Sequence, residues 1–85
     1  MRTKTISRSE VNKNFGYWVR IQLDKIERPA DWLHHRLGIA GGSVNRWSNG
    51  SQPALDTFRR VIKLLAVQLQ IKTIDLVNDY FNYCE

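Results

Sequence analysis

Ser43 and Arg46 stand three residues apart in the stretch GGSVNRWSNG, residues 41–50. At that spacing two side chains are surface neighbours on a helix. An arginine fork matches the O6 and N7 acceptors of guanine together, and a serine hydroxyl donates or accepts at a base edge. Gly41 and Gly42 come just before them, where bare backbone can approach a nucleic acid closely. Free N–H groups at a helix start also suit phosphate. Val44 and Trp47 share another face of the same helix and read as core. Ser43, Asn45, Arg46 and Asn49 are left on the remaining faces. Capping is the competing role for Ser43. The glycine pair weakens a helix starting at Gly41 by about 0.8–1 kcal/mol per glycine relative to Ala. A helix that begins later takes Ser43 as its cap.

No other cluster in the chain offers chemistry of comparable kind. There is no nucleophile with a base at useful spacing, no phosphate loop and no paired carboxylates, so catalysis is not expected. His34 and His35 are adjacent, so they diverge on a helix, and no second Cys/His pair exists to complete a metal site. No cofactor is expected. Trp18, Trp32 and Trp47 read as packing residues, with Trp32 partly exposed.

The elements that must hold residues 41–50 all read as helices. Ser7 and Glu10 form a capping box, with Ile6 and Val11 at staple positions. Val11, Phe15, Trp18, Gln22 and Ile26 follow at helical spacing, with Val19 and Leu23 beside them, up to about Arg28. Gly16 sits within this segment and weakens it unless close packing needs it. Pro29 suits a first helical turn, and Asp31 lies near its positive end. Leu33 and Leu37 face one way, and Gly38 ends the second segment. The third runs from about Gly41 to Ser48, and Asn49-Gly50 is a turn. Pro53 precedes a fourth segment with the stripe Leu55, Phe58, Val61, Ile62, Leu65 and Leu69. Its outer face carries Arg59, Arg60 and Lys63, either solvated or against phosphate, with Arg59 the expected contact. Thr73 is read as the N-cap of a fifth segment holding Ile74, Val77 and Phe81, with Tyr80 and Tyr83 flanking.

The bulk composition agrees. The chain has 85 residues, 42% hydrophobic and 25% charged, a balance for one globular domain. No run approaches the roughly 18 apolar residues of a membrane span. The start, MRTKTISRSE, is basic but lacks an apolar stretch, so a secretory signal is not expected. The single cysteine, Cys84, excludes an internal disulfide and fits a cytoplasmic setting. Net charge is +5, unevenly placed: residues 1–63 carry +7 and residues 64–85 carry −2. A basic body suits a polyanion, and residues 1–6 read as a flexible basic arm. The weakly charged end, with Val77, Tyr80, Phe81 and Tyr83, offers apolar surface for either a dimer interface or closure of the core.

The segment from Trp32 to Gly50 resembles the helix-turn-helix of the Cro/CI (lambda-repressor-like, XRE) family. The matching residues are Leu33, Leu37, Gly38, Ile39, Val44, Trp47 and the Asn49-Gly50 turn. Less specifically, the resemblance covers roughly residues 10 to 80. It implies an all-α, compact five-helix domain spanning 1–85, with the helix-turn-helix at 29–49 and a C-terminal helix at 73–84. It also implies binding of double-stranded DNA, as a homodimer on an inverted-repeat operator, by a small nucleoid-associated repressor. Carried over by position, Gly41, Gly42, Ser43 and Arg46 face bases, with Asn45 beside them. Asn49, Ser51 and Gln52 meet phosphate. Ala30 stands where the family often has a phosphate-binding Gln and offers only its backbone N–H. His34 replaces a usually small residue, so its ring must tilt the helices or point out. Ala40 replaces a frequent Ser or Thr cap. Two other readings remain: an antitoxin or phage accessory regulator, and a module that binds a protein partner through its C-terminal helix. Neither calls for a membrane.

Overall fold

The computed structural model describes residues 14–84. The capping box at Ser7 and Glu10, the staple residues Ile6 and Val11, and the basic arm at 1–6 lie outside the described residues. Regular structure among the described residues is helical. It comprises α1 (Phe15–Lys25), α2 (Ala30–Leu37), α3 (Ser43–Ser48), α4 (Leu55–Leu69) and α5 (Thr73–Cys84). None of these helices is long and apolar enough to cross a membrane.

Helix α1 starts later than its apolar spacing predicts. Asn14 is extended (φ −81°, ψ 170°), and its side chain accepts a hydrogen bond from the Tyr17 N–H. An asparagine there caps a helix and so stops the apolar pattern from running through it. The helix also ends before Arg28. Glu27 turns left-handed (φ 56°), and Arg28 N–H bonds back to Leu23 C=O at 3.0 Å. The same exit closes α2 at Gly38, α3 at Gly50 and α4 at Gln70. In each case the residue after the turn bonds back into the helix it has just left.

Phe15, the first residue of α1, gathers the core. Its ring lies 5.8 Å from Trp18, 5.2 Å from Trp47, 5.2 Å from Phe58 and 5.4 Å from Tyr80. Thus one residue touches α1, α3, α4 and α5. Val19, Leu33, Val44, Val61, Ile62, Leu65 and Leu76 fill the buried centre around this cluster. The indole N–H of the buried Trp18 donates to Asp79 Oδ2 at 2.9 Å, which ties α1 to α5. Without that acceptor a buried donor would go unpaired.

Two apolar expectations are corrected here. Leu55, read into the core stripe of α4, is 71% exposed. In α5 the inward residue is Leu76, while Ile74 and Phe81 are 60% and 55% exposed. Leu76, Tyr80 and Tyr83 form the inward row at helical spacing, so the helix is rotated from the face that Ile74, Val77 and Phe81 suggest. Thr73 is the first helical residue of α5, and Lys72 C=O accepts from Asp75 and Leu76 N–H.

The closest helix contact is between α1 and α3. A Cβ on Gly16 would fall on the Ser48 backbone nitrogen and lie 2.5 Å from both Ser48 Cα and Oγ. Around this point Asn14 Nδ2 donates to Ser48 C=O at 2.7 Å and Arg20 Nε donates to Ser48 Oγ at 3.0 Å. Ser48 Oγ in turn donates to Val44 C=O.

Two measurements check this packing. Gly16→Ala gains roughly 0.5–1 kcal/mol of helix propensity but forces backbone apart, at about 3 kcal/mol or more. The net expectation is a large drop in melting temperature, and an unchanged melt would mean that the helices do not meet here. The second concerns Tyr80, whose phenol is pushed up to about 12 from the ordinary 10, first by burial and then by the Cys84 thiol beside it. Folding favours the neutral ring, so this contribution is complete below pH 10 and is lost as pH rises towards 12. Thermal melts should weaken across that interval, and Tyr80→Phe should flatten the decline. Tyr83, raised by burial and by Cys84, accounts for a remainder.

Candidate functional site

Helix α3 is six residues long, too short to persist without tertiary support. It begins later than the glycine pair suggests. Gly42 is left-handed (φ 87°) and acts as the N-cap, so helical geometry starts at Ser43 rather than at Gly41. Ser43 is not the cap either. Its hydroxyl reaches back to donate to Ala40 C=O at 2.6 Å, and its N–H bonds to the same carbonyl.

Support comes from three sides. Val44 and Trp47 are buried below. Behind, α1 grips Ser48 through Gly16, Asn14 and Arg20. From α2, His34 Nε2 accepts the Val44 N–H at 3.3 Å. The imidazole therefore does not point out to solvent. It is buried, and it pairs one of the orphan N–H groups of the first turn that no side-chain cap serves. An accepting Nε2 assigns the proton to Nδ1. Asp31 Oδ1 lies 3.4 Å from Nδ1, within reach of attraction but outside hydrogen-bond alignment. Nε2 spends its lone pair on the Val44 N–H and Nδ1 carries the proton, and no group of three ligand-type residues assembles among the described residues.

What remains outside is polar. Gly41, Gly42, Asn45, Arg46 and Asn49 are exposed, as are Ser51 and Gln52 in the following turn. The Arg46 guanidinium folds over the start of the helix: Nη2 donates to Ser43 Oγ at 3.3 Å, and a Cβ on Gly42 would lie 3.8 Å from Nη1. Ser43 itself is only 5% exposed, so it leaves the set of residues free to touch a base. Its burial follows from the late helix start, which turns its hydroxyl to Ala40.

Of the expected phosphate contacts, Ala30 is half-buried at the head of α2, whose N-cap Pro29 supplies no side-chain bond. Arg59 lines a groove between α4 and α5 with Phe58, Ile62, Lys63, Thr73 and Val77. Arg60 Nη2 donates to Leu37 C=O at 2.6 Å and so closes the end of α2. Trp32 is half-buried, and the guanidinium carbons of Arg28 and Arg36 each lie 5.5 Å from its ring centre. Of the expected interface residues, Tyr80 packs inside the aromatic cluster, 5.0 Å from Trp18 and 5.7 Å from Phe58. Val77 and Tyr83 are half-buried, and Phe81 alone of the four is exposed.

Nothing in the residue spacing marks Arg20 or Asn14 as partners of Ser48. Gly16, a glycine inside an otherwise apolar helical segment, was the available signal of a close approach. The chain matches no protein-family model, no curated protein and no solved structure.

The His34 contact is separable from simple packing. His34→Ala leaves the Val44 N–H buried without an acceptor, at about 1–3 kcal/mol. His34→Gln keeps an amide oxygen on a flexible stem and should lose distinctly less. Chemical denaturation of the two variants reads the difference, and equal losses would mean that the ring acts by volume alone.

Proposed function

We propose that this chain is a helix-turn-helix protein that reads double-stranded DNA through α3, with α2 as the helix that sets it. The observation that carries this reading is the sidedness of α3. Val44 and Trp47 face the core, while Asn45, Arg46 and Asn49 face solvent beside bare glycine backbone. Such a helix can enter a major groove and present an arginine fork to guanine. The net charge of +5 favours the phosphate surface around it. Asn49, Ser51 and Gln52 are the polar groups nearest in sequence to meet that surface, with Ala30 offering backbone N–H at the head of α2. Arg46 with Asn45 reads bases.

In this reading the protein works as a homodimer on an inverted repeat and represses by covering a promoter. The apolar surface that supports pairing is Ile74 and Phe81 on α5 with the adjoining groove at Phe58, Ile62 and Val77. The same surface supports a second reading, a module that docks a protein partner through α5. Salt distinguishes the two. A DNA reader with 6–10 phosphate contacts loses about 10³–10⁵ in affinity between 50 and 200 mM salt, whereas an apolar contact barely responds.

The test is selection from a randomised duplex pool at ~150 mM salt, where specific and non-specific binding separate. Enrichment of an inverted repeat, with half-sites about one helical turn apart, is the expected result. Arg46→Ala should then weaken binding to the selected site by about 1–3 kcal/mol and relax preference at one base pair. An unenriched pool, or an Arg46→Ala protein with unchanged preference, would sink the reading.

A further inference from the structure

The contact between Arg46 and Ser43 has a direction. Ser43 has one hydroxyl proton, and the short 2.6 Å contact to Ala40 C=O takes it. The oxygen therefore faces Arg46 as an acceptor, and Nη2 donates to it at 3.3 Å. The result is a chain of donors running from the Arg46 guanidinium through the Ser43 hydroxyl to the Ala40 carbonyl. Each link polarises the next. Among the described residues, Ser43 alone hydrogen-bonds the Arg46 guanidinium. The cation lies over the start of α3, the positive end of the helix dipole, which repels it. A Cβ at residue 42 would meet Nη1 at 3.8 Å, an ordinary contact, so glycine is required there by its left-handed backbone (φ 87°) rather than by the guanidinium.

We infer that Ser43 is a positioning residue, which holds the Arg46 guanidinium in place for a guanine edge without touching the base itself. This rests on the DNA-reading function proposed above and deepens it. Arginine is a long side chain with many rotamers, and a fork already fixed loses less freedom when it binds. One of its five N–H groups goes to Ser43, and the others remain for the O6 and N7 acceptors. Sequence preference at that base pair is then set by two residues, one of them buried. Ser43 belongs to the reading machinery although it is shielded from any ligand.

Two measurements on the full chain test this. The first needs no DNA. Nitrogen-detected NMR of the Arg46 guanidinium should show restricted rotation in the free protein, free rotation in Ser43→Ala, and restriction again in Ser43→Thr. The second uses the duplex selected by the wild type and a scrambled duplex of equal length. Ser43→Ala should lose about fivefold on the selected duplex, the affinity equivalent of one modest hydrogen bond, and nothing on the scrambled one. Ser43→Thr should restore binding. In an Arg46→Ala background, Ser43→Ala should have no further effect.

Equal losses on both duplexes, a loss that persists without Arg46, or a freely rotating wild-type guanidinium would each overturn the positioning role. If Ser43→Ala fails to fold, Ser43→Cys keeps the shape with a weak acceptor and takes its place in both measurements. A wild type that selects its repeat while these arms fail leaves DNA reading intact. A wild type that prefers no duplex removes the functional reading and this inference with it.

Discussion

The approach of α1 to α3 at Gly16 and Ser48 is the constraint on which the rest of the fold depends. A six-residue helix entered through two glycines has too few internal hydrogen bonds to hold itself together. Its geometry must be imposed from outside. Gly16 lets the two backbones meet, and Asn14 and Arg20 bond the last residue of α3 in place. At the other end His34 holds the Val44 N–H. These ties reach α3 from its inner side and its two ends. The outer face therefore stays clear, and Asn45 and Arg46 remain exposed on a helix that is otherwise pinned. A longer helix could rely on its own hydrogen bonds. This one trades length for contacts, and those contacts decide which way Arg46 points.

Periodicity made much of this fold legible. Phe15, Trp18, Val19, Leu23, Leu33, Leu37, Val44, Trp47, Val61, Ile62 and Leu65 all lie in the core to which their spacing assigns them. The misreadings share a cause. At Asn14, Gly42 and Glu27 the backbone leaves helical geometry for reasons local to the end of the helix, which an apolar stripe does not register. The error in α5 is different. Its sequence TIDLVNDYFNYC has apolar or aromatic residues on most sides, so hydrophobicity alone leaves its rotation undecided. The choice is made by partners on other elements: Asp79 must meet the Trp18 indole, and Tyr80 must join Phe15 and Phe58. Once those are satisfied, Leu76 is inside and Ile74 and Phe81 are outside. Polar partnering, not the apolar stripe, orients this helix.

The candidate site was legible to a different depth. Exposure of Arg46, Asn45 and Asn49 follows from burial of Val44 and Trp47, which the sequence shows. The positions of Ser43 and His34 do not follow. Each depends on where a neighbouring turn leaves a backbone group: the Ala40 carbonyl for Ser43 and the Val44 N–H for His34. The Val44 N–H is an orphan of the helix start, and the Ala40 carbonyl belongs to the turn before it. No side chain caps α3, whose N-cap is Gly42, and its first turn draws an acceptor from the preceding helix instead. His34 thus does for the start of α3 what a side-chain cap would do.

The left-handed exits show the same economy. Gly38 and Gly50, on either side of α3, adopt positive φ without penalty, whereas Glu27 and Gln70 do so with a side chain. A left-handed L-residue carries roughly 1–2 kcal/mol of strain. Glu27 and Gln70 follow long helices, where many internal bonds and a buried face can absorb that strain. The segment from 38 to 50 has no such reserve, since its helix is short and its surface is polar. Glycine there keeps both turns free of strain, and it keeps bulk away from the surface on which Arg46 lies. The glycines around α3 thus serve stability and access together. A substitution that improved helix propensity at Gly42 would cost stability, because the gain per residue is smaller than the strain of a left-handed side chain.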